Sequence, residues 1–252
     1  MPIEFLAREC YNHSMQIPDN TAIVLLPGMD GTGELLRPLA ERLSAHRSVQ
    51  LVGYPTDCVL GYDQLAAYVG ERLPSGRFVV LGESFSGPIA IEIAATVTRV
   101  AGLVLASSFA RHPLPASLMA LTPLLDLKWI PTSIIVAALM GSAATPELKV
   151  RLRQVLNALP REILRTRAQE VLRVDKRDRL GGIACPVLCL HGRSDRLVSR
   201  KYVDEVVAAR SGSQVCWLDA PHMLLATHVD AAVDVIEQFC EAFNCEPTVD
   251  SV

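Results

Sequence analysis

The sequence has no long apolar run and no cleavable leader pattern. The most membrane-like stretch, residues 130–144, is about 15 residues long and is interrupted by Pro131, whereas a membrane-spanning helix needs ~20 apolar residues. This stretch is therefore predicted to be a buried helix or part of a cap. The first ten residues include Glu4 and Arg8 without a continuous apolar run, so no signal peptide is predicted and a cytoplasmic location is expected.

Metal-binding spacings and surplus positive charge are also absent. The seven cysteines are odd in number and form no CxxC pair, and no HxxxH pattern occurs. We predict no metal site and interpret the cysteines as small buried residues of a reducing compartment. The formal net charge is −3, which argues against nucleic acid as a partner because phosphate binding needs a concentrated positive surface.

What is present is a globular α/β pattern. Half of the 252 residues are apolar and a fifth are charged, which suits a chain with a large core. Short aliphatic runs alternate with helical periodicity, and this alternation is typical of βαβ units and a mostly parallel sheet. The predicted strands are 21–26, 49–52, 78–81, 100–106, 186–190 and 214–218. The predicted helices are 34–43, 62–73, 88–97, 200–209 and 229–243.

The alternation stops between residues 107 and 182, where prolines separate short helical segments. We interpret this region as a helical insertion over one end of the sheet. The predicted organisation is an α/β core formed by residues 1–109 and 183–252, with a helical cap at 110–182.

A strand-turn-helix pattern surrounds Ser84. A nucleophilic serine must project from a sharp, strained turn, which tolerates only small residues two positions to either side. Gly82 and Ser86 occupy these positions, and Gly87 follows. The usual pattern is GxSxG, so Ser86 is a mild departure. We predict that Ser84 is a nucleophile; the alternative is a serine that only caps the following helix.

A serine nucleophile needs a base, and the base needs an orienting acid. Two predicted strands run into loops with such residues: LCLHGRSD, residues 188–195, ends at Asp195, and WLDAPH, residues 217–222, ends at His222. Both loops follow the carboxyl ends of strands, where sites in parallel sheets form. We predict His222 as base and Asp195 as acid.

Three rivals remain open for these roles. His191 stands at the end of a predicted strand, and His228 lies near the start of the last helix. Asp219 could replace Asp195 as the acid, although it is close to His222 in sequence. For each rival, a structural role is the competing interpretation.

The loop at residues 27–33, PGMDGTG, is expected to supply an oxyanion donor. The predicted donors are the backbone N–H groups of Met29 and Phe85. A nucleotide-binding interpretation fits poorly, because the glycine spacing is GxxGxG instead of GxGxxG and no Gly-Lys-Ser/Thr follows. A simple flexible turn is the alternative.

These strings together resemble the α/β-hydrolase superfamily over nearly the whole chain. They are LPGMDGTG at 26–33, GESFSG at 82–87, HGRSDRLV at 191–198 and APH at 220–222. The first two also resemble a branch containing uncharacterised bacterial hydrolases and the hydrolase-like domain of plant phytyl ester synthases. The resemblance implies a mostly parallel eight-stranded sheet with helices on both faces, and an esterase, lipase or thioesterase activity without a cofactor. The short N-terminus implies that the usual first hairpin is trimmed.

The insertion is expected to select the substrate. Its apolar residues suit a hydrophobic acyl group, although they could instead pack only against one another. The predicted substrate-binding residues are Gly28, Leu118, Trp129 and Met223. The arginines of residues 151–179 are interpreted as a solvated face, with contact to an anionic membrane surface as the alternative. An acyltransferase or a non-catalytic ligand-binding protein remains possible, and the oligomeric state is not predicted.

Overall fold

A computed structural model of the chain describes residues 21–113 and 130–241. Its centre is a six-stranded sheet in which every neighbouring pair is parallel, in the order β2-β1-β3-β4-β5-β6. The strands are β1 Ala22–Leu26, β2 Val49–Leu51, β3 Phe78–Glu83, β4 Val100–Ala106, β5 Val187–Gly192 and β6 Gln214–Leu218.

The continuous aliphatic runs of the sequence are strands buried on both faces. Along β1, Ile23 and Leu25 pack into one hydrophobic cluster, while Val24 and Leu26 pack into another on the opposite face. Successive side chains of a strand point to opposite faces, so burying both requires an uninterrupted apolar run. Strands β3 and β4 are buried at every residue.

Helices cover both faces of this sheet. The helices are α1 Arg37–Leu43, α2 Tyr62–Gly70, α3 Gly87–Thr96, α4 Thr132–Leu139, α5 Pro146–Ala158, α6 Arg161–Arg173, α7 Arg177–Leu180, α8 Arg200–Ala209, α9 Leu224–Thr227 and α10 Val229–Glu241. Helices α1 and α10 share one cluster of buried residues, and α2, α3 and α8 share the other. The predicted α/β fold class is confirmed.

Besides shifts of a few residues at the ends of other elements, the main differences from the expectation concern the first helix and the number of strands. The first helix begins at Arg37 instead of residue 34, with a proline in its first turn and residues 34–36 in a turn before it. The resemblance implied eight strands, whereas the described residues contain six, all parallel. The expected trimming of a first hairpin concerns residues 1–20, which lie outside the described ranges.

The described part of the predicted insertion is helical. Helices α4 and α5 contribute Val136 and Leu152 to a cluster that also contains Leu35 and Met223 from the sheet's carboxyl edge. The Met223 N–H donates to the carbonyl of Leu139 at 2.9 Å. Helices α4 and α5 thus pack over the edge where strands β1, β3, β5 and β6 end.

Candidate active site

Ser84 occupies a sharp turn between β3 and α3. The strand ends at Glu83, residues Ser84–Ser86 form a single 3₁₀ turn, and α3 begins at Gly87. Ser84 has φ of 48°, in the left-handed region that non-glycine residues rarely adopt. A Cβ at Gly82 would lie 2.6 Å from the carbonyl oxygen of Ser86. The turn therefore needs glycine at position 82 and holds Ser84 in a strained conformation.

Ser86 and Gly87 complete the turn in different ways. The Ser86 side chain is fully buried, and its hydroxyl is hydrogen-bonded to the Pro27 carbonyl and the Tyr54 hydroxyl. A Cβ at Gly87 would collide with the hydroxyl of Ser108. That hydroxyl donates to the carbonyl of Ser84 at 2.5 Å, which fixes the backbone of the turn from the β4 side.

Ser84, His222 and Asp195 lie in one hydrogen-bonded chain. Ser84 Oγ is 2.8 Å from His222 Nε2, and His222 Nδ1 is 2.8 Å from Asp195 Oδ2. The other carboxylate oxygen of Asp195 accepts from the N–H groups of Leu197 and Val198 at 2.8 and 2.9 Å. Burial raises the pKa of Asp195, but these hydrogen bonds and the contact with His222 leave it below its ordinary value.

The loops after β5 and β6 are locked together by backbone contacts. The N–H of Arg193 donates to the Leu218 carbonyl at 2.8 Å, and the N–H of Ser194 donates to the Ala220 carbonyl at 3.1 Å. A Cβ at Gly192 would collide with the Ala220 carbonyl oxygen. The close approach of the two loops, which glycine permits, brings the acid and the imidazole together.

The structure places the rival residues elsewhere. His191 is buried beside Trp217, its Nδ1 has no hydrogen-bond partner among the described residues, and burial lowers its pKa to about 4. Asp219 Oδ1 lies 3.3 Å from Arg193 Nε. His228 Nδ1 is 2.9 Å from the Thr227 hydroxyl.

The loop after β1 lies beside the serine turn. Residues 28–31 form a turn in which the Gly31 N–H donates to the Gly28 carbonyl at 3.0 Å. Met29 lines the same cavity as Ser84 and His222. Phe85, the other predicted donor, directly follows Ser84 and is buried against Tyr62 with ring centroids 4.7 Å apart.

Sequence reasoning missed two charged residues at this loop. Glu83 Oε2 accepts from the Gly28 N–H at 3.1 Å, and burial raises the pKa of Glu83 to about 8, with Asp30 adding to the rise. Arg167 on α6 donates to the carbonyls of Met29 and Asp30 at 3.0 and 2.7 Å. Glu83 directly precedes Ser84 in the sequence, and this position could have indicated a role for Glu83 at the site. No sequence signal connects residue 167 with residue 29.

A cavity of about 460 Å³ opens over Ser84 and His222. Gly28 and Met223, two of the predicted substrate-binding residues, line it; Leu118 and Trp129 lie outside the described residues. Helices α4, α5 and α6 supply an apolar wall formed by Ile134, Ile135, Ala138, Leu139, Leu152, Leu156 and Leu164. The polar and charged groups at the cavity include Asp30, Glu83, Asn157 and Arg161.

Residues 21–113 and 130–241 contain no group of three or more His, Cys, Asp or Glu side chains arranged to hold a metal ion. No helix within them is both long and apolar enough to cross a membrane.

The parallel sheet and the strained strand-turn-helix define an α/β-hydrolase fold. The chain belongs to the alpha/beta hydrolase family, whose sequence model matches residues 23–237. The family resemblance of the four strings is thereby confirmed.

Relatives and solved structures agree with this assignment. A pimeloyl-[acyl-carrier protein] methyl ester esterase from Proteus mirabilis (strain HI4320) is 28% identical over 249 residues, covering 89% of this chain and 94% of that protein. The enol-lactonase of Burkholderia xenovorans LB400 superposes with a TM-score of 0.78 at 19% identity, covering 88% of this chain and 92% of that one. A thermophilic esterase from Thermogutta terrifontis gives 0.74 at 19% identity, covering 90% and 92%. The solved structures show the shared fold, and the family and its esterase relatives identify this chain as a hydrolase.

Proposed function

We propose that the protein is a serine hydrolase that cleaves carboxylic esters or thioesters of hydrophobic acyl groups through a covalent acyl-enzyme. The observation that carries the proposal is the hydrogen-bonded chain from Ser84 through His222 to Asp195, which lies at the floor of an apolar cavity. Such a chain lets the imidazole accept the serine proton while the carboxylate fixes its tautomer and stabilises the imidazolium.

The proposed reaction has two halves. Ser84 Oγ bonds to the acyl carbon as His222 Nε2 takes its proton, and the carbonyl oxygen becomes an oxyanion facing the N–H groups of Met29 and Phe85. The oxyanion collapses, the bond to the leaving group breaks, and His222 returns the proton to that group. Water then attacks the acyl-enzyme with His222 as base, which releases the acid and restores Ser84.

The described hydrogen bonds suit this role for Met29. Among the residues that the structure describes, the Met29 N–H donates to no protein acceptor, so it is available to a ligand oxygen. Removing one oxyanion donor typically costs about 3 kcal/mol in the activation barrier.

The cavity supports a hydrophobic acyl group as substrate. Its wall of leucine, isoleucine and alanine side chains from α4 and α5 offers no partner for a polar chain, so burying an apolar chain there is favourable. On this basis we also propose that the insertion, residues 110–182, acts as the substrate-binding cap. The relatives from Proteus mirabilis and Aliivibrio salmonicida are methyl ester esterases, which agrees with an ester as substrate.

The test combines a nucleophile variant with an active-site label. We expect Ser84→Ala to fold normally, to lose hydrolysis of short p-nitrophenyl esters and to lose labelling by a fluorophosphonate. Ser44→Ala is the matched control, because Ser44 is an exposed residue directly after α1 and its hydroxyl donates to the Ala40 carbonyl. Full hydrolysis by Ser84→Ala would refute the proposal. Product analysis with an added long-chain alcohol separates hydrolysis from acyl transfer.

A further inference from the structure

We infer that Arg167, on helix α6 of the insertion, is a positioning residue for the oxyanion hole, and that it works together with Glu83 to fix the peptide that carries the Met29 N–H. The inference rests on the proposed function, because an oxyanion hole has a role only if Ser84 attacks a carbonyl. It assigns to the insertion a part in transition-state stabilisation in addition to substrate binding.

The guanidinium of Arg167 holds three backbone carbonyls. Its Nη1 donates to Met29 O at 3.0 Å and to Asp30 O at 2.7 Å, and its Nη2 donates to Pro55 O at 3.1 Å. The planar fork of an arginine can serve several acceptors in fixed directions, whereas a lysine ammonium cannot reproduce that geometry. Arg167 therefore ties the loop after β1 to the residues that follow β2.

The Met29 amide lies between fixed groups on both sides. The Gly28 N–H is held by Glu83, the Gly28 carbonyl by the Gly31 N–H, and the Met29 carbonyl by Arg167. The chain has no cis peptide among the described residues, and a trans peptide is planar with its N–H opposite the preceding carbonyl. Fixing the Gly28 carbonyl and the Met29 carbonyl thus fixes the direction of the Met29 N–H.

The loop after β1 leaves space for the Arg167 guanidinium. Gly31 has φ of 70°, and a Cβ at this position would lie 2.8 Å from Arg167 Cζ. Its carbonyl accepts from the Tyr54 N–H at 2.7 Å, and the Arg167 guanidinium lies 5.6 Å from the Tyr54 ring centroid. The GMDG string therefore forms a cradle that the Arg167 head fills.

Burying the Arg167 guanidinium costs free energy, and an apolar side chain could fill the same space without that cost. Arg167 is 2% exposed, and moving a cation out of water is costly unless its hydrogen bonds are made. Burial lowers the pKa of Arg167, and the nearby Tyr54 and Asp30 oppose this change. A methionine or leucine would occupy the volume without desolvating a charge, but it would leave the buried Asp30 carbonyl and the partly buried Met29 and Pro55 carbonyls without their donor.

The test compares three variants of helix α6 with the wild-type protein. Arg167→Met removes all three hydrogen bonds, and Arg167→Lys keeps the charge without the fork. Arg173→Met is the control, because Arg173 is an exposed arginine in the last turn of the same helix. Each folded variant is measured for kcat and KM on a short p-nitrophenyl ester and for inhibition by a trifluoromethyl ketone, which forms an oxyanion on the serine.

A displaced oxyanion donor affects the transition state more than the bound ester. We expect kcat of Arg167→Met to fall about 10- to 100-fold, the size of effect that a misplacement near 1 Å can cause. KM should change little, and the affinity for the ketone should fall by the same factor as kcat/KM. In Arg167→Lys, kcat should fall by a smaller factor. Arg173→Met should match the wild type in kcat and in affinity for the ketone.

The outcomes test the positioning role of Arg167 separately from the proposed function. Wild-type kcat and ketone affinity in either folded Arg167 variant would overturn the positioning role while leaving the proposed function intact. If Arg167→Met does not fold, Arg167→Lys decides in the same way. If wild-type protein and Arg173→Met neither hydrolyse esters nor react with a fluorophosphonate, the proposed function falls, and the inference falls with it.

Discussion

The hydroxyl of Ser86 donates a hydrogen bond to the carbonyl oxygen of Pro27 and accepts one from the hydroxyl of Tyr54. This pair of bonds ties the turn after the nucleophile to the loop that carries the Met29 N–H. It also explains why serine can stand where the usual pattern has glycine: the side chain is buried, and its hydroxyl has both a donor and an acceptor within reach.

Ser86→Ala should destabilise the protein. The substitution leaves the Tyr54 hydroxyl and the Pro27 carbonyl without this partner in a buried place, so the free energy of unfolding should fall by about 1–3 kcal/mol. Denaturant titration measures the change. Tyr54→Phe in the same background should cost less than it does alone, because the two side chains share one network. An unchanged unfolding midpoint in Ser86→Ala would contradict this account.

Glu83→Gln should change how stability depends on pH. The pKa of Glu83 is about 8 in the folded protein because of burial, against an ordinary value of 4.5. Between these two values the folded state holds a proton that the unfolded state has released, so this group makes stability fall as pH rises from 4.5 to 8. Glutamine carries no such proton and can still accept from the Gly28 N–H.

The measurement is the difference in unfolding free energy between wild type and Glu83→Gln at several pH values. We expect the difference to shift steadily against the wild type across that window and to level off above pH 8. Glu71→Gln is the control, because Glu71 is exposed and its carboxylate lies beside Arg72 at the surface. Parallel pH profiles for wild type and Glu83→Gln would show that Glu83 does not titrate there.

Gly192→Ala should impair catalysis more than folding. A Cβ at position 192 would lie 2.6 Å from the Pro221 carbonyl oxygen and closer still to that of Ala220, so the loop that carries His222 must move. We expect the rate of fluorophosphonate labelling to fall by about 100-fold, with a stability loss of about 1–3 kcal/mol from overpacking. Gly76→Ala is the control, because a Cβ there meets nothing within 4 Å.

Leu156→Trp should shorten the acyl chains that the enzyme accepts. Leu156 lines the cavity on α5, and a larger side chain there fills space that a long chain would occupy. The ratio of kcat/KM for a long-chain ester to that for an acetate ester should fall, while acetate hydrolysis changes little. Val150→Trp is the matched control, because Val150 is half exposed on the same helix and does not line the cavity. An unchanged chain-length profile would place the acyl group elsewhere.

Much of the fold follows from local pattern. The strand prediction for residues 100–106 and the helix prediction for residues 200–209 match the structure to the residue, because two-faced burial and amphipathic periodicity leave clear signatures. The motifs also placed Ser84, Asp195 and His222 at the ends of β3, β5 and β6. Since the carboxyl ends of parallel strands lie at one edge of a sheet, the sequence predicts that these residues share that edge.

The sequence by itself determined the α/β class, the strand-turn-helix at Ser84 and the three residues that the loops bring together. Only the tertiary structure decided that Arg167 reaches the Met29 carbonyl and that Glu83 holds Gly28, since these contacts join residues 138 and 55 positions apart. The Glu83 contact depends on the pairing of β1 with β3, and the Arg167 contact depends on how helix α6 docks onto the sheet. Local propensity and spacing carry no information about that docking, because it is set by long-range packing of side chains from separate elements.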